Sequence, residues 1–230
     1  MSRITLSGNA SGTGNFTIAS PNSNVDRTLT LPDATGTVNV SGLANEVPAG
    51  SAGAPAIYPT GDSNTGIFFP AADTIAFAEG GVEAMRIDSS GRVTMPYQPS
   101  FCAYRAGAGS NVTYAAGQSI SVDMAATFHN RGSNYNTSNG RFTAPVAGVY
   151  LFTVSLFNNS TISPLRVRVT VNGSSPIVSG QGQSNAGDDF SPVGIVSLAA
   201  GDYVEVISVY NDVIIFHDPG HSVWSGHLLG

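Results

Sequence analysis

From Ile4 to Met95 the chain repeats one small pattern: two apolar residues separated by a single other residue, then a cluster that tolerates turns. The pairs are Ile4/Leu6, Phe16/Ile18, Leu29/Leu31, Val38/Val40, Ile67/Phe69, Ile75/Phe77, Met85/Ile87 and Val93/Met95. A spacing of two puts both side chains of a pair on one face of a β-strand. Between the pairs stand Gly12-Thr-Gly14, Pro32-Asp-Ala-Thr-Gly36, Gly61-Asp-Ser-Asn-Thr-Gly66, Gly80-Gly81 and Asp88-Ser-Ser-Gly91, residue types suited to tight turns. The repeat, about eight to thirteen residues long, is too short for a helical hairpin. This confines the region to short strands.

Such strands pose an energetic problem. Two inward side chains contribute about 3–5 kcal/mol when fully covered, whereas ordering the backbone costs about 1–2 kcal/mol per residue. One copy of the pattern cannot hold itself together. Stability must come from stacking successive strands or from wrapping identical chains around one axis, and an intertwined homotrimeric stalk is the expectation, against a small monomeric β-domain. Ser41–Ala56, rich in Pro, Gly and small residues, reads as a linker. The expected organisation is therefore an attachment and stalk segment over 1–40, a linker over 41–58, a second stalk segment over 59–97, and a head over 98–230 that begins after Pro96-Tyr-Gln-Pro99.

Composition narrows the partners. The formal charge is -6, and all nine basic residues are Arg, so no basic stripe is expected to bind nucleic acid. Cys102 is the single cysteine and forms no internal disulfide. The start Met1-Ser-Arg-Ile-Thr-Leu6 alternates instead of forming a continuous apolar run, so neither a signal peptide nor membrane insertion is expected.

From Phe101 onward the period stays near two but the strands lengthen: Gly148 to Phe157, Leu165 to Val171, Val193 to Leu198, Tyr203 to Val209 and Val223 to Leu229. Val149/Leu151/Thr153 alternate with Tyr150/Phe152/Val154, so both faces are apolar. This suits a strand covered by a facing sheet on one side and by a neighbouring subunit on the other. Strands with this punctuation predict a β-sandwich of jelly-roll type. Phe142, Pro145, Gly148, Tyr150, Phe152, Trp224 and Leu228 are its expected core or subunit-packing residues.

Two resemblances sharpen the reading. Asn24-Val-Asp-Arg-Thr-Leu-Thr-Leu-Pro-Asp-Ala-Thr-Gly-Thr-Val38, Gly61-Asp-Ser-Asn-Thr-Gly-Ile-Phe-Phe-Pro-Ala-Ala-Asp-Thr-Ile-Ala-Phe77 and Glu83-Ala-Met-Arg-Ile-Asp-Ser-Ser-Gly91 resemble segments of bacteriophage tail fibre proteins. In the head, Tyr135-Asn136, Gly140, Phe142-Thr-Ala-Pro145, Gly148-Val-Tyr150, Phe152, Leu198-Ala-Ala-Gly-Asp202, Ser225-Gly226 and Leu228-Leu229 occur in an order similar to the globular head of complement component 1q, which shares its jelly-roll with tumour necrosis factor ligands. This second resemblance implies a ten-stranded sandwich and a compact homotrimer. Trp224 stands where that family usually has Phe, adding an N–H that needs a partner. No collagen-like Gly-X-Y stalk accompanies the head.

Few residues suggest chemistry. His217-Asp-Pro-Gly-His221 offers two imidazoles and a carboxylate, but Pro and Gly make it a turn rather than a metal-binding scaffold. Asp188 and Asp189 supply hard oxygen atoms of the kind calcium takes, and the resemblance implies calcium near the top of a trimer; no other cofactor is expected. No nucleophile elbow, phosphate loop or zinc-binding helix motif is present, so an enzyme is not expected. Polar loops with isolated aromatics read as receptor contacts, with Asn134, Asn139, Tyr210, His217 and His221 as candidates. The expectation is a homotrimeric tail fibre on the phage virion, bound to other virion proteins through its N-terminal end and to a host glycan or protein through its head. A trimeric capsid decoration protein on the virion surface is the alternative.

Overall fold

Turns and pairing organise the described part of the chain into two kinds of sheet. The computed structural model describes residues 11–14, 17, 24–26, 47–159, 165–182 and 188–230; for residues 165, 175, 178–182 and 188–190 it describes the backbone alone. The chain divides into two units, Met1–Glu46 and Val47–Gly230, and every described strand lies in the second. The apolar pairs expected between Ile4 and Val40, and residues 41–46 of the linker, lie outside the described residues.

The apolar pairs of the second stalk segment form β1 (Gly66–Phe68), β2 (Ile75–Glu79), β3 (Val82–Ile87) and β4 (Val93–Thr94), an antiparallel meander in the order β1-β2-β3-β4. Gly80 and Gly81, at φ 57° and 83°, supply the left-handed pair that a two-residue hairpin needs. Glu79 and Val82 consequently face each other. The segment expected as linker is tied to this sheet from Ala49 on: Phe69 donates its N–H to the Ala49 carbonyl at 2.7 Å, and Ile57 pairs with Ile67. Its buried core is small, comprising Phe68, Ala76 and Ala78 with Ala52 packed against them.

The head continues the chain as β5 (Ser100–Tyr104), β6 (Ser110–Tyr114), a 3-10 turn at Ser121–Asp123, β7 (Ala126–Arg131), β8 (Tyr135–Asn136), β9 (Arg141–Thr143), β10 (Gly148–Asn158), β11 (Leu165–Val171), β12 (Ser175–Gly182), β13 (Asp188–Phe190), β14 (Val193–Leu198), β15 (Tyr203–Ser208), β16 (Val213–His217) and β17 (Val223–Leu228). One sheet runs β6-β16-β10-β17-β5-β7, with β13 and β14 also paired to β10, and the other runs β12-β11-β15-β9-β8. The boundary expected at 97/98 falls within the second unit, where Gln98 donates to the Leu228 carbonyl at 3.0 Å and Leu228 donates to the Pro99 carbonyl at 3.0 Å.

The five long strands read from the alternation appear, three of them shifted by one residue at the end. Thirteen strands are present among the described residues of the head where ten were implied, partly because one edge is divided. β13 pairs with Leu156–Asn158 and β14 with Gly148–Thr153, while Pro192, which has no N–H, accepts from the Val154 N–H at 3.1 Å between them.

The core lies between the two sheets. Phe101, Tyr150, Phe152, Val154, Leu156 and Trp224 point inward from one, and Tyr135, Phe142, Val167, Val169, Val204 and Val206 from the other. Phe101 stacks on Tyr135 and Phe142 with centroids 4.7 and 5.1 Å apart. Trp224 stacks on Phe152 at 5.2 Å and meets Phe101 edge-on at 5.2 Å. Gly226 makes this packing possible, because a Cβ there would stand 2.6 Å from both the Phe101 and Phe152 rings.

Candidate functional site

β10 decides where the outer surface of its sheet is apolar. Tyr150, Phe152, Val154 and Leu156 are buried toward the sandwich, so the alternate residues Val149, Leu151 and Thr153 point away from it. Register extends that outward face across neighbouring strands. One row joins Val193, Thr153, Ser225, Cys102 and His129, and the next joins Ile195, Leu151, His227, Ser100 and Arg131. Residues directly opposite in an antiparallel pair share a face. Ile195 is 63% exposed, Val193 57% and Val149 38%, so the β10–β14 side of this face is an uncovered apolar strip.

Beside it lies a shallow recess lined by Cys102, His129, Leu151, Thr153, Ser225 and His227. The hydroxyls of Thr153 and Ser225 are hydrogen-bonded to each other at 2.6 Å. Burial raises the Cys102 thiol above its ordinary range, which keeps it in the unreactive protonated form. The recess offers shape and apolar area rather than chemistry. Phe128, 61% exposed, stacks on Tyr104 at 4.2 Å near the far edge of the sheet.

A second group of side chains is built around two buried rings. The Tyr114 hydroxyl lies 2.6 Å from Asp123 Oδ2 and 2.6 Å from His217 Nε2. A carboxylate only accepts, so Tyr114 donates to Asp123 and accepts from His217, which places the imidazole proton on Nε2. His217 Nδ1 is buried without a partner, as that tautomer permits an acceptor to be. Burial lowers the His217 pKa to about 4 and holds the ring neutral, with Asp123 opposing and Arg105 reinforcing the shift. The Tyr114 hydroxyl is pushed well above its ordinary value, first by burial and then by Asp123. Both rings are fully buried, so the cluster links β6, the 3-10 turn and β16 without presenting a reactive group.

The jelly-roll sandwich and its landmark residues agree with a family profile. The profile of the C1q domain matches residues 103–229 of the chain, more than half its length. The chain belongs to the C1q domain family. Similar solved structures include the globular domain of zebrafish complement 1qA, at 18% identity and TM-score 0.46, covering 58% of this chain and 98% of that one. Eiger TNF from S. frugiperda matches at 17% identity and TM-score 0.45, covering 58% and 94% of the two chains, and murine APRIL at 12% and 0.44, covering 57% and 99%. No curated protein sequence matches the chain.

Within the C1q domain, Phe142, Tyr150, Phe152, Trp224 and Leu228 are buried. Pro145 is exposed and takes no part in the core. Gly148 is half-buried, and a Cβ there would meet Leu228 Cδ1 at 2.7 Å. Among the receptor candidates, Asn139, Tyr210 and His221 are exposed and Asn134 is half-buried, on four separate connections between strands. His217 corrects the expectation of a loop contact: it is the last residue of β16 and wholly buried, since Val213, Ile215 and His217 form the inward face of that strand. The two histidines of the turn therefore part company, and His221 pairs instead with Asp218 at 2.8 Å. Asp188 and Asp189 place their backbones in β13, opposite Asn158 and Phe157; their side chains, and with them the calcium expectation, lie outside the described residues. Among the described residues no group of three or more His, Cys, Asp or Glu is arranged to hold a metal.

Reading the sequence missed Tyr114, Asp123 and Arg105 as a cluster, because they meet only through tertiary contact. The strip of Val193 and Ile195 had a local signal, since both occupy alternate positions of a strand opposite Thr153 and Leu151.

Proposed function

We propose that this chain is a homotrimeric virion appendage, a phage tail fibre whose C1q domain contacts the host surface. The observation that carries the self-associating part is the outward strip of Val149, Val193 and Ile195, with half-buried Leu151, on the β10–β14 side of the sheet. Apolar area of this kind is covered in an assembly, and identical copies of a C1q domain are the natural cover. The virion context rests on the resemblance of the stalk segments around Asn24–Val38 and Gly61–Phe77 to tail fibre sequences. The N-terminal end docks on other virion proteins, and Asn139, Tyr210 and His221 stand exposed on turns available to a glycan or protein receptor.

The proposed mechanism is binding without catalysis. Three heads on each fibre convert weak single contacts into firm attachment. The test is to label purified full-length protein and measure its binding to host cells and to isolated envelope glycans. Saturable binding to the host surface is the expected result. Attachment to capsids alone would overturn the fibre reading and establish a decoration protein, and a monomer mass by light scattering at micromolar concentration would overturn the trimer.

A further inference from the structure

The recess on the outward face of the head holds no reactive group, but it gathers hydrogen-bond donors that the chain leaves unmet. Register places them. Leu151, His227, Ser100 and Arg131 lie side by side on β10, β17, β5 and β7, and Thr153, Ser225, Cys102 and His129 form the next row on the same strands. Direct partners share a face, and Ser100, His129, Thr153, Ser225 and His227 all line the recess. Arg131, opposite Ser100, stands at its edge.

His129 and His227 are exposed, and neither imidazole has a hydrogen-bond or ion-pair partner among the described residues. Each carries at least one N–H. Ser100 is 8% exposed, and its hydroxyl likewise has no partner among the described residues. Thr153 and Ser225 share a single bond of 2.6 Å, which uses one of their two hydroxyl protons and leaves the other to be taken by a ligand. Arg131 reaches only the Met95 carbonyl, at 3.5 Å, so most of its donors are open.

No carboxylate answers these groups. The two rows contain no Asp or Glu, and neither does the following row of Ser155, Val223, Tyr104 and Ala126. In a chain with fifteen Asp and Glu against nine Arg, a face that carries a guanidinium, two imidazoles and no acid stands apart from the rest of the molecule. A concave surface of one sign concentrates its field on an anion. The floor is different in kind, since Leu151, Phe101 and Gly226 make it apolar. The volume of about 270 Å³ lies at the lower end for ligand sites, which suits one small ring rather than a chain.

We propose that this recess binds a small organic anion, a carboxylate or phosphate carried on a body of monosaccharide size. Arg131, His129 and His227 take the charged group, Leu151 takes the apolar side of the ring, and the Thr153–Ser225 pair takes its hydroxyls. The site needs only the C1q domain and is independent of the fibre reading.

The test titrates the full-length protein, isotope-labelled in its histidine rings, with glucuronate, glucose-6-phosphate and glucose, and follows the ring signals by NMR. The expected result is a saturable shift of the His129 and His227 signals with at least one of the two acids and none with glucose at the same concentrations. His217, sealed in the core, and His221, bonded to Asp218, should stay still. The two acids separate a carboxylate ligand from a phosphate one, and a response to either supports the site. Arg131→Gln should weaken binding about tenfold, as loss of a charge-assisted hydrogen bond does. Arg92→Gln, the same change of charge on the stalk sheet, should leave it unchanged. No saturable shift with either acid, an equal response to glucose, or an equal loss from Arg92→Gln overturns the proposal.

Discussion

The Tyr114 hydroxyl and His217 Nε2 lie 2.6 Å apart in the interior of the head, and neither ring reaches solvent. Their bond joins the end of β6 to the end of β16, and Asp123 secures Tyr114 from the 3-10 turn. The cost of this arrangement appears on acidification.

Burial lowers His217 to about 4 in the folded chain, against about 6.5 when unfolded. A depressed folded value means that the unfolded chain takes up the proton first as pH falls. Stability from neutral His217 is thus complete above about pH 6.5 and is lost progressively toward pH 4, by about 3 kcal/mol in all. Urea denaturation at pH 7, 5.5 and 4.5 should show this slope, and His217→Gln should flatten it. Asp88, Asp202 and Asp218, whose carboxyls are held below their ordinary value by hydrogen bonds, act at lower pH, so their contribution is separable.

Trp224 fills the centre of the core but leaves its indole N–H without a partner. Trp224→Phe keeps most of the packing and removes the unsatisfied donor, so it should cost less than about 1.5 kcal/mol. Trp224→Ala should cost about 3–5 kcal/mol, because Phe101 and Phe152 cannot close over the cavity. Chemical denaturation of both variants checks the contrast.

Gly140 sits at φ 70°, and a Cβ there would stand 2.3 Å from the Ser121 carbonyl carbon. The obstacle is backbone of the 3-10 turn rather than a movable side chain. Gly140→Ala should therefore destabilise the head by about 2–4 kcal/mol, seen as a lower denaturation midpoint with an unchanged m-value.

Ile195 and Leu151 are direct partners on the outward face of β14 and β10. Ile195→Glu places a charge in the proposed trimer contact but in solvent when the chain is alone. Light scattering should show a shift from trimer toward monomer at micromolar concentration, with the far-UV circular dichroism spectrum of β-structure retained. A trimer of unchanged mass would remove this face from the interface.

Much of the strand structure was legible because period two is a local property. Gly148–Phe157, one residue short of the strand's end at Asn158, and Leu165–Val171 could be read from alternation alone. β16 could not, because Val-Ile-Ile-Phe-His is continuously apolar up to a histidine and is bracketed by turn residues. Its alternation exists only in burial, with Val213, Ile215 and His217 inward and Ile214 and Phe216 half-buried. The candidate surface was half legible: both faces of β10 looked apolar, and nothing local said which would meet the second sheet.

By itself, the sequence determined that the chain is built of short strands and turns, that Gly140, Gly148 and Gly226 stand among large apolar residues, and that Val149 and Tyr150 belong to opposite faces. These properties come from backbone geometry and side-chain size, which act between neighbours. Tertiary structure alone decided that Tyr150 faces the core and Val149 does not, that His217 is sealed while His221 is open, and that the apolar pairs from Ile67 to Val93 share one uncovered face. Each of these depends on which strand lies opposite which. Register between residues far apart in the chain is set by the collective packing of both sheets and is written in no short stretch of residues.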